Sequence, residues 1–317
     1  MDSSEPLMSF QINCFACGGM AISTCVSHKL ADATTFFNFM NDWAIINRKV
    51  EKEEKEDNEE ENGLLVLPVS KLLDGGASAF PQGDLPIFPE LFYKRENNVV
   101  CKRFVFQPSM INFLKEMATS SSTHSPTRIL VLIAWIYKCL VSKMELNFKT
   151  SSFIMPVNLR KIMVPPLSEK CVGNIIWFLF ILADEKEMEL KDLVCKIKEG
   201  LSEFYDVYPK IFGEKEKDKY LSLISECLKQ ATQPRPDNEN SFTFSSWCRL
   251  PIYETDFGWG KPTWVTTCGS SSRNVILMMD TKEGNGVEVV VNLEENVMSK
   301  FENDVEHLKN ISLNPSN

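Results

Sequence analysis

The sequence predicts an α/β (α+β) fold in which mixed sheets are flanked by helices. Three observations predict it: short apolar runs of strand length, longer segments with apolar residues at helical spacing, and the alternation of the two without an internal repeat. The composition, with 44% hydrophobic and 24% charged residues over 317 positions, is that of a globular protein. A chain of this length is long enough for two domains or one large one.

The first predicted elements are a β-hairpin and an amphipathic helix. Two partly alternating apolar runs, residues 10–17 and 20–26, surround a Gly-Gly pair and predict the hairpin. Residues 33–46 have the spacing of a helix with one apolar face, made of Phe36, Phe39, Met40 and Trp43. His28 lies where the second strand gives way to this helix, a position from which folds present functional side chains on a rigid support.

The later elements follow from apolar periodicity and turn signals. Predicted strands cover residues 99–106, 153–160, 175–182, 242–250, 264–268 and 275–280, and a hairpin turn covers 283–286. Predicted helices cover residues 128–144, 186–204, 220–231 and 294–308, and a shorter one from Pro108 has the apolar face Ile111, Leu114 and Met117. We expect Ser125 to cap the helix at 128, with Pro126 as its first residue. The acidic run at 51–62 is expected to be a mobile loop.

Composition excludes several classes of function. A net charge of −9 argues against binding nucleic acid or an anionic membrane through bulk electrostatics. No apolar run approaches the roughly 18 residues of a membrane span, and no signal peptide is predicted. The cysteines lie mostly among apolar neighbours, as thiols do in a reducing compartment, so we expect a cytosolic (cytoplasmic) protein. Cys14 and Cys17 have C-x-x-C spacing but lack a second pair of ligands, so no metal is expected.

His28 has two interpretations from its own surroundings. An imidazole can take up a proton near neutral pH, which suits a general base. Asp32, four residues later, can either orient that imidazole or turn away to stabilise the new helix. The alternative is a structural histidine beside a carboxylate at a helix N-terminus, where exposed N–H groups favour negative charge. The two residues alone leave both interpretations open.

A second motif adds a resemblance to a known family. Residues 256–260 read Asp-Phe-Gly-Trp-Gly, and residues 28–32 read His-Lys-Leu-Ala-Asp. Together they resemble the D-F-G-W-G and H-x-x-x-D signatures of the plant BAHD acyltransferases, in the family's order. Residues 246–249, Ser-Trp-Cys-Arg, look most like the alkaloid-acylating members. The resemblance covers essentially the whole chain.

The family resemblance implies a two-domain sandwich like chloramphenicol acetyltransferase. Residues 1–75 would be the C-terminal part of the first domain, residues 76–100 the crossover, and residues 101–317 the second domain. The family has a longer stretch before its histidine motif, so we expect the first domain to be incomplete. The alternative interpretation is then a truncated, non-catalytic paralogue that binds a ligand or a partner chain.

The resemblance also implies roles for the motif residues. His28 matches the general base, and Asp32 matches an aspartate that turns away from the cavity to pair with an arginine, here Arg160. Asp256, Phe257, Gly258, Trp259 and Gly260 match a structural loop near the cofactor channel, where the two glycines permit φ > 0 around the tryptophan. Oxyanion or acceptor contacts are expected among the hydroxyl and indole donors of Ser245, Ser246 and Trp247.

The implied reaction is acyl transfer from acyl-CoA to a hydroxyl, less readily an amine, of a hydrophobic plant metabolite such as an alkaloid. One imidazole can make both proton transfers, so no acyl-enzyme is required. We expect acetyl-CoA as co-substrate, no permanently bound cofactor, and a monomer. A kinase is excluded because no Gly-rich loop or His-Arg-Asp loop precedes Asp256-Phe257-Gly258, and a serine hydrolase because no G-x-S-x-G occurs.

Overall fold

The computed structural model describes residues 6–53, 98–120, 124–143, 150–184, 187–213, 241–269, 272–302 and 311–313. An N-terminal hairpin joins β1 (Met8–Cys14) to β2 (Met20–Val26) and leads to a long helix, α1 (Ala33–Glu53). The remaining strands are β3 (Val99–Phe106), β4 (Thr150–Asn158), β5 (Ile176–Asp184), β6 (Ser241–Ser246), β7 (Val275–Asp280), β8 (Val287–Glu294) and β9 (Ile311–Leu313). The remaining helices are α2 (Pro108–Ala118), α3 (Arg128–Lys143), α4 (Leu190–Gly213) and α5 (Glu295–Glu302).

The strands after α1 form one mixed sheet. Among the described residues its order is β5-β4-β6-β7-β8-β3-β9. The central β4, β6 and β7 are parallel to their neighbours in that group, and all other pairs are antiparallel. This arrangement confirms the predicted mixed sheet flanked by helices.

One face of this sheet is covered by α2, α3, α4 and α5. Alternation along β3 sends Phe104 and Phe106 towards these helices, where both are buried in the main hydrophobic core. Helix α3 is buried on nearly every side from Val131 to Tyr137, which its apolar composition requires. In the described ranges, no helix is both long and apolar enough to cross a bilayer.

Helix α1 lies on the opposite face of the sheet. Phe37 packs with Leu277 and Met279 of β7 and with Val290 of β8 in a second hydrophobic cluster. The side chains that α1 buries most fully are Phe37, Met40 and Ala44. The helix also contacts the hairpin, because Phe10 of β1 lies edge-on to Trp43 with ring centroids 4.8 Å apart. Helix α1 is therefore held between the sheet and the hairpin.

The structure corrects the predicted apolar faces. Phe39, predicted to face the core, is 42% exposed, because the buried face of α1 is centred on Phe37 instead. In α2, Met117 is 55% exposed, and Met110 and Ala118 are buried beside the predicted Ile111 and Leu114. Strand β5 is not continuously buried: its burial alternates along most of its length, because only one face packs on the helices.

Other corrections concern element boundaries. Ser125 is not the cap of α3: the Leu130 N–H donates to Thr127 Oγ1 at 3.3 Å, so Thr127 has that role and Pro126 precedes the helix. Residues 264–268 belong to no strand, so that predicted strand is wrong. The acidic run begins inside α1, which continues to Glu53. The predicted helix at 220–231, the rest of the acidic run and most of the predicted crossover lie outside the described residues, so the domain boundaries stay predictions.

The packing of α1 can be tested with two phenylalanines of the same helix. We expect Phe37→Ala to lower the free energy of unfolding by about 3–5 kcal/mol, because it leaves a cavity between α1 and the sheet. Phe39→Ala should cost less than about 1 kcal/mol, since this ring is largely exposed. Urea denaturation of both variants measures the difference. Equal losses would show that α1 does not pack on the sheet through Phe37.

Candidate active site

His28 lies in the turn after β2, and its exposed side chain is held by one amide. His28 Nδ1 is 3.0 Å from Asn174 Oδ1, and Asn174 Nδ2 donates to the backbone carbonyl oxygen of His28 at 2.6 Å. A carbonyl oxygen can only accept, so Nδ2 must face it and Oδ1 must face the imidazole. The hydrogen of the neutral ring is then on Nδ1, and Nε2 keeps a free lone pair. This is the tautomer that a general base at Nε2 needs.

Asp32 does not point at the imidazole but forms a buried ion pair with Arg160. The guanidinium binds it through both terminal nitrogens, with Nη1 to Oδ2 at 2.8 Å and Nη2 to Oδ1 at 3.1 Å. The arginine side chain is 0% exposed and the aspartate 3%. The resemblance predicted this pairing, and the structure has it. Two-point geometry of this kind is the strong form of a charge-assisted contact.

The remaining donors of Arg160 are also satisfied, as a buried charge requires. Nε and Nη2 donate to the carbonyl oxygen of Cys171 at 3.2 and 2.9 Å. Nη2 also donates to Thr35 Oγ1 at 2.9 Å, and Nη1 to Asn158 Oδ1 at 3.2 Å. The guanidinium therefore joins the start of α1, the end of β4 and the loop before β5.

The same ion pair fixes the loop that carries Asn174. The Ile175 N–H donates to Asp32 Oδ2 at 3.0 Å, and the Gly173 N–H donates to Thr35 Oγ1 at 3.1 Å. Asn174 lies between these two anchored amides, so Asp32 and His28 are linked through this loop. Gly173 has φ of +133°, a backbone conformation that a side chain would strain. Asp32 also caps α1 by accepting the Thr35 N–H at 2.8 Å.

The Asp-Phe-Gly-Trp-Gly loop lies against the second half of α1. Asp256 Oδ1 accepts the N–H groups of Gly258 at 2.9 Å and Gly260 at 3.0 Å, where φ is +118° and +109°. These two hydrogen bonds, with a smaller contribution from the Arg48 guanidinium 3.2 Å away, lower the pKa of the Asp256 carboxyl. The loop is therefore closed on itself by one carboxylate.

The aromatic residues of this loop attach it to α1. Phe257 is buried, edge-on to Trp43 at 4.9 Å, and its carbonyl oxygen accepts a hydrogen bond from Asn47 Nδ2 at 2.9 Å. Trp259 stacks on Phe257 at 5.4 Å and is 55% exposed. These contacts support the structural role that the resemblance implies for the loop.

Ser245, Ser246 and Trp247 lie at the end of β6. Trp247 packs edge-on against Phe37 of α1 at 5.4 Å, the contact of a core aromatic. Ser246 Oγ accepts the Cys248 N–H at 3.4 Å. Their roles as oxyanion or acceptor contacts stay predictions. Among the described residues, no group of three or more His, Cys, Asp or Glu side chains could hold a metal ion.

The sequence did not single out Asn174. It follows Gly173 and precedes a strand, a pattern that marks only a turn, and its partner His28 is 146 residues away. The usable signal is chemical: a polar amide next to a glycine, directly before a strand, at the end of the sheet where Arg160 lies.

The fold and these two motifs define the class of the protein as an acyltransferase. A model of the Transferase family matches residues 1–308, and the chain belongs to this family, the BAHD acyltransferases. It is 35% identical over 307 residues to akuammiline synthase 1 of Alstonia scholaris, covering 95% of this chain and 67% of that protein. It is 32% identical over 302 residues to stemmadenine O-acetyltransferase of Catharanthus roseus, covering 94% of this chain and 64% of that protein. The chain thus spans about two thirds of the length of these relatives.

Solved structures show the same fold. Vinorine synthase superimposes with a TM-score of 0.75 at 30% identity, covering 96% of this chain and 66% of that one. TRI101 of F. sporotrichioides, solved with coenzyme A and T-2, superimposes with a TM-score of 0.70 at 19% identity, covering 98% of this chain and 70% of that one. The second likeness, at low identity, concerns the fold alone.

The ion pair can be tested with two aspartates of the same region. We expect Asp32→Asn to lower the free energy of unfolding by about 3–5 kcal/mol, because it leaves the buried Arg160 guanidinium without a counter-charge. Asp42→Asn removes a half-exposed partner of Lys170 and should cost about 0–1 kcal/mol. Urea denaturation of both proteins provides the comparison. If Asp32→Asn lowered the free energy of unfolding no more than Asp42→Asn does, the buried ion pair would not stabilise this region.

Proposed function

We propose that this chain transfers an acyl group from acyl-CoA to an acceptor hydroxyl, with His28 as the general base and without an acyl-enzyme. The observation that carries the proposal is the clamp on His28, in which both ends of the Asn174 amide are used. An exposed imidazole whose Nδ1–H is engaged and whose Nε2 keeps its lone pair can take up and return a proton at Nε2.

The proposed reaction uses the two ring nitrogens differently. Nε2 takes the acceptor hydroxyl proton as the acceptor oxygen attacks the thioester carbonyl carbon. The tetrahedral oxyanion then collapses, the carbon–sulfur bond breaks, and Nε2–H returns the proton to the leaving CoA thiolate. Nδ1–H stays hydrogen-bonded to Asn174 Oδ1 throughout. The imidazolium that exists between the two proton transfers therefore keeps its orientation, and the Asn174 oxygen stabilises its positive charge.

Ser245, Ser246 and Trp247 are the proposed contacts for the oxyanion or the acceptor. They lie at the end of β6, which is separated from β5 in the sheet by β4. Trp247 contacts α1, the helix that Asp32 caps. Donors held by a rigid strand end can stabilise developing charge without reorganisation. Asp256 to Gly260 are proposed to act structurally, since their contacts are with the second half of α1.

The proposed substrates follow from the relatives. Stemmadenine O-acetyltransferase is named for acetyl transfer to oxygen, so we propose acetyl-CoA as donor and a hydrophobic plant metabolite such as an alkaloid as acceptor. The reaction needs no resident cofactor, because acyl-CoA enters as a co-substrate. We propose a cytosolic location, since all the cysteines in the described ranges are free thiols, as in a reducing compartment. We also propose that the full-length protein is a monomer.

The proposed base can be tested by thiol release. We expect this 317-residue chain to release free CoA thiol from acetyl-CoA in the presence of alkaloid and terpenoid alcohols, and His28→Ala to abolish the release. Circular dichroism of the variant controls for folding, because an exposed side chain contributes little to stability. Unchanged turnover in His28→Ala would exclude the base assignment. If a cooperatively folded chain releases no CoA thiol, a non-catalytic paralogue that binds a ligand or a partner chain is favoured.

The clamp can be tested separately with two variants at one position. Asn174→Leu removes both hydrogen bonds at similar volume, whereas Asn174→Asp keeps an acceptor facing His28 Nδ1, loses the donor to the carbonyl and adds a negative charge. We expect Asn174→Leu to lower kcat by about 10–100-fold with little change in KM, as loss of an oriented base does. Asn174→Asp should retain more of kcat. The same kcat in both variants would show that the acceptor does not orient the base.

A further inference from the structure

A cavity of about 430 Å³ lies on the sheet face opposite helices α2–α5. It is lined by Cys101, Arg103, Val290, Trp264, Thr266, Thr267 and Cys268. The first three come from β3 and β8, and the rest from the irregular segment 264–269 that follows the Asp-Phe-Gly-Trp-Gly loop. The cavity wall therefore has two halves, a rigid sheet and a segment without a hydrogen-bonded ladder.

Each half of this wall contributes one exposed free thiol. Cys101 is on β3 and Cys268 is on the segment. Gly269 brings the segment's backbone directly against the other thiol: a Cβ placed there would lie 2.7 Å from Cys101 Sγ and 2.8 Å from Cys101 Cβ. Its φ of +81° also favours glycine. The backbone next to Cys268 thus touches Cys101, and both cysteines line the same cavity.

We propose that Cys101 and Cys268 form a reversible disulfide that joins segment 264–269 to β3 across this cavity. The proposal is independent of acyl transfer and rests on the cavity lining and the close approach at Gly269. Small-molecule disulfides, such as oxidised glutathione, are the class of reactant. The exposed C-x-x-C pair in the hairpin, Cys14 and Cys17, serves as the internal competitor.

The exchange proceeds in two balanced steps. The Cys268 thiolate attacks one sulfur of oxidised glutathione, whose S–S bond breaks, and a glutathione thiolate leaves. The Cys101 thiolate then attacks Cys268 Sγ, and the second glutathione thiolate leaves. Two protein thiols are oxidised to one disulfide, one glutathione disulfide is reduced to two thiols, and the two protein protons end on those thiols.

The order of the steps follows from the environment of Cys101. Partial burial, and to a lesser extent the neighbouring Cys268, raise the pKa of the Cys101 thiol. Cys101 therefore has less thiolate near neutral pH and suits the second, intramolecular step, where proximity compensates. The internal disulfide should form faster as the pH rises, because more of Cys101 is then ionised.

The bond would change the cavity by holding its two halves together. In the sheet half, Arg103 is held by Glu288 at 2.7 Å. Its guanidinium lies over the ring of Trp264, 5.5 Å from the ring centroid, so the start of the segment already contacts the sheet. Joining Cys268 to Cys101 would restrain the other end of the segment, beyond Thr266 and Thr267.

The test is disulfide mapping of the whole chain after equilibration with oxidised glutathione. We expect a peptide linking Cys101 to Cys268 in the parent protein, reversed by reduced glutathione. Cys268→Ser should abolish that peptide, and Cys25→Ser, which removes an exposed thiol of the hairpin, should leave it unchanged. Glutathione adducts on Cys101 or Cys268 without the linked peptide, or a Cys14–Cys17 link alone, would overturn the proposal.

A second measurement needs no peptide recovery. The oxidised parent should melt at a higher temperature than the reduced parent, because the link closes a long loop of the unfolded chain. The difference should vanish in Cys268→Ser and persist in Cys25→Ser. An identical Tm for the oxidised and reduced parent, with the linked peptide absent, would contradict the proposal. Neither disulfide mapping nor thermal melting depends on acyltransferase activity. The two measurements therefore test the disulfide whether or not the acyltransferase proposal is correct.

Discussion

The ion pair between Asp32 and Arg160 is the interaction on which the candidate site depends. Two charges without solvent contact are unfavourable unless their donors and acceptors are used, and here they bind backbone groups of the loop before β5 and of the start of α1. The pair joins residues 128 positions apart in sequence. The pair also anchors the loop whose Asn174 amide contacts the His28 imidazole.

Helix α1 connects the two signature motifs. Its first turn contains the Asp32 cap and the residues that meet Arg160, and its later turns hold the Asp-Phe-Gly-Trp-Gly loop through Trp43 and Asn47. Asn47 and Phe257 are 210 residues apart along the chain. Between these ends, Phe37 fastens the helix to the sheet. The two motifs therefore share a single rigid support, although only one of them carries the proposed base.

Much of the fold could be predicted from sequence, and the failures have physical causes. Strands β3 and β7 match their predicted bounds because their apolar runs are short and clearly delimited. The stretch 264–268 has strand-like residues but finds no partner strand, since ladder formation depends on neighbours that local sequence does not reveal. Phe39 and Phe37 are both aromatic on one helix, and only the position of the sheet decides which is buried.

The candidate site shows the same division. His28, Asp32 and the glycine-containing loop are local patterns and could be recognised, and the pairing with Arg160 came from resemblance to the family. Asn174 could not be identified from the sequence, because its importance arises only when two distant turns meet.

Helix packing adds a constraint on the length of α1. An inserted residue within α1 would turn everything beyond it by about 100° and advance it by about 1.5 Å. The number of residues between Asp32 and Asn47 is therefore fixed by the contacts at the two ends of the helix. Natural variation in α1 should take the form of substitutions rather than insertions or deletions.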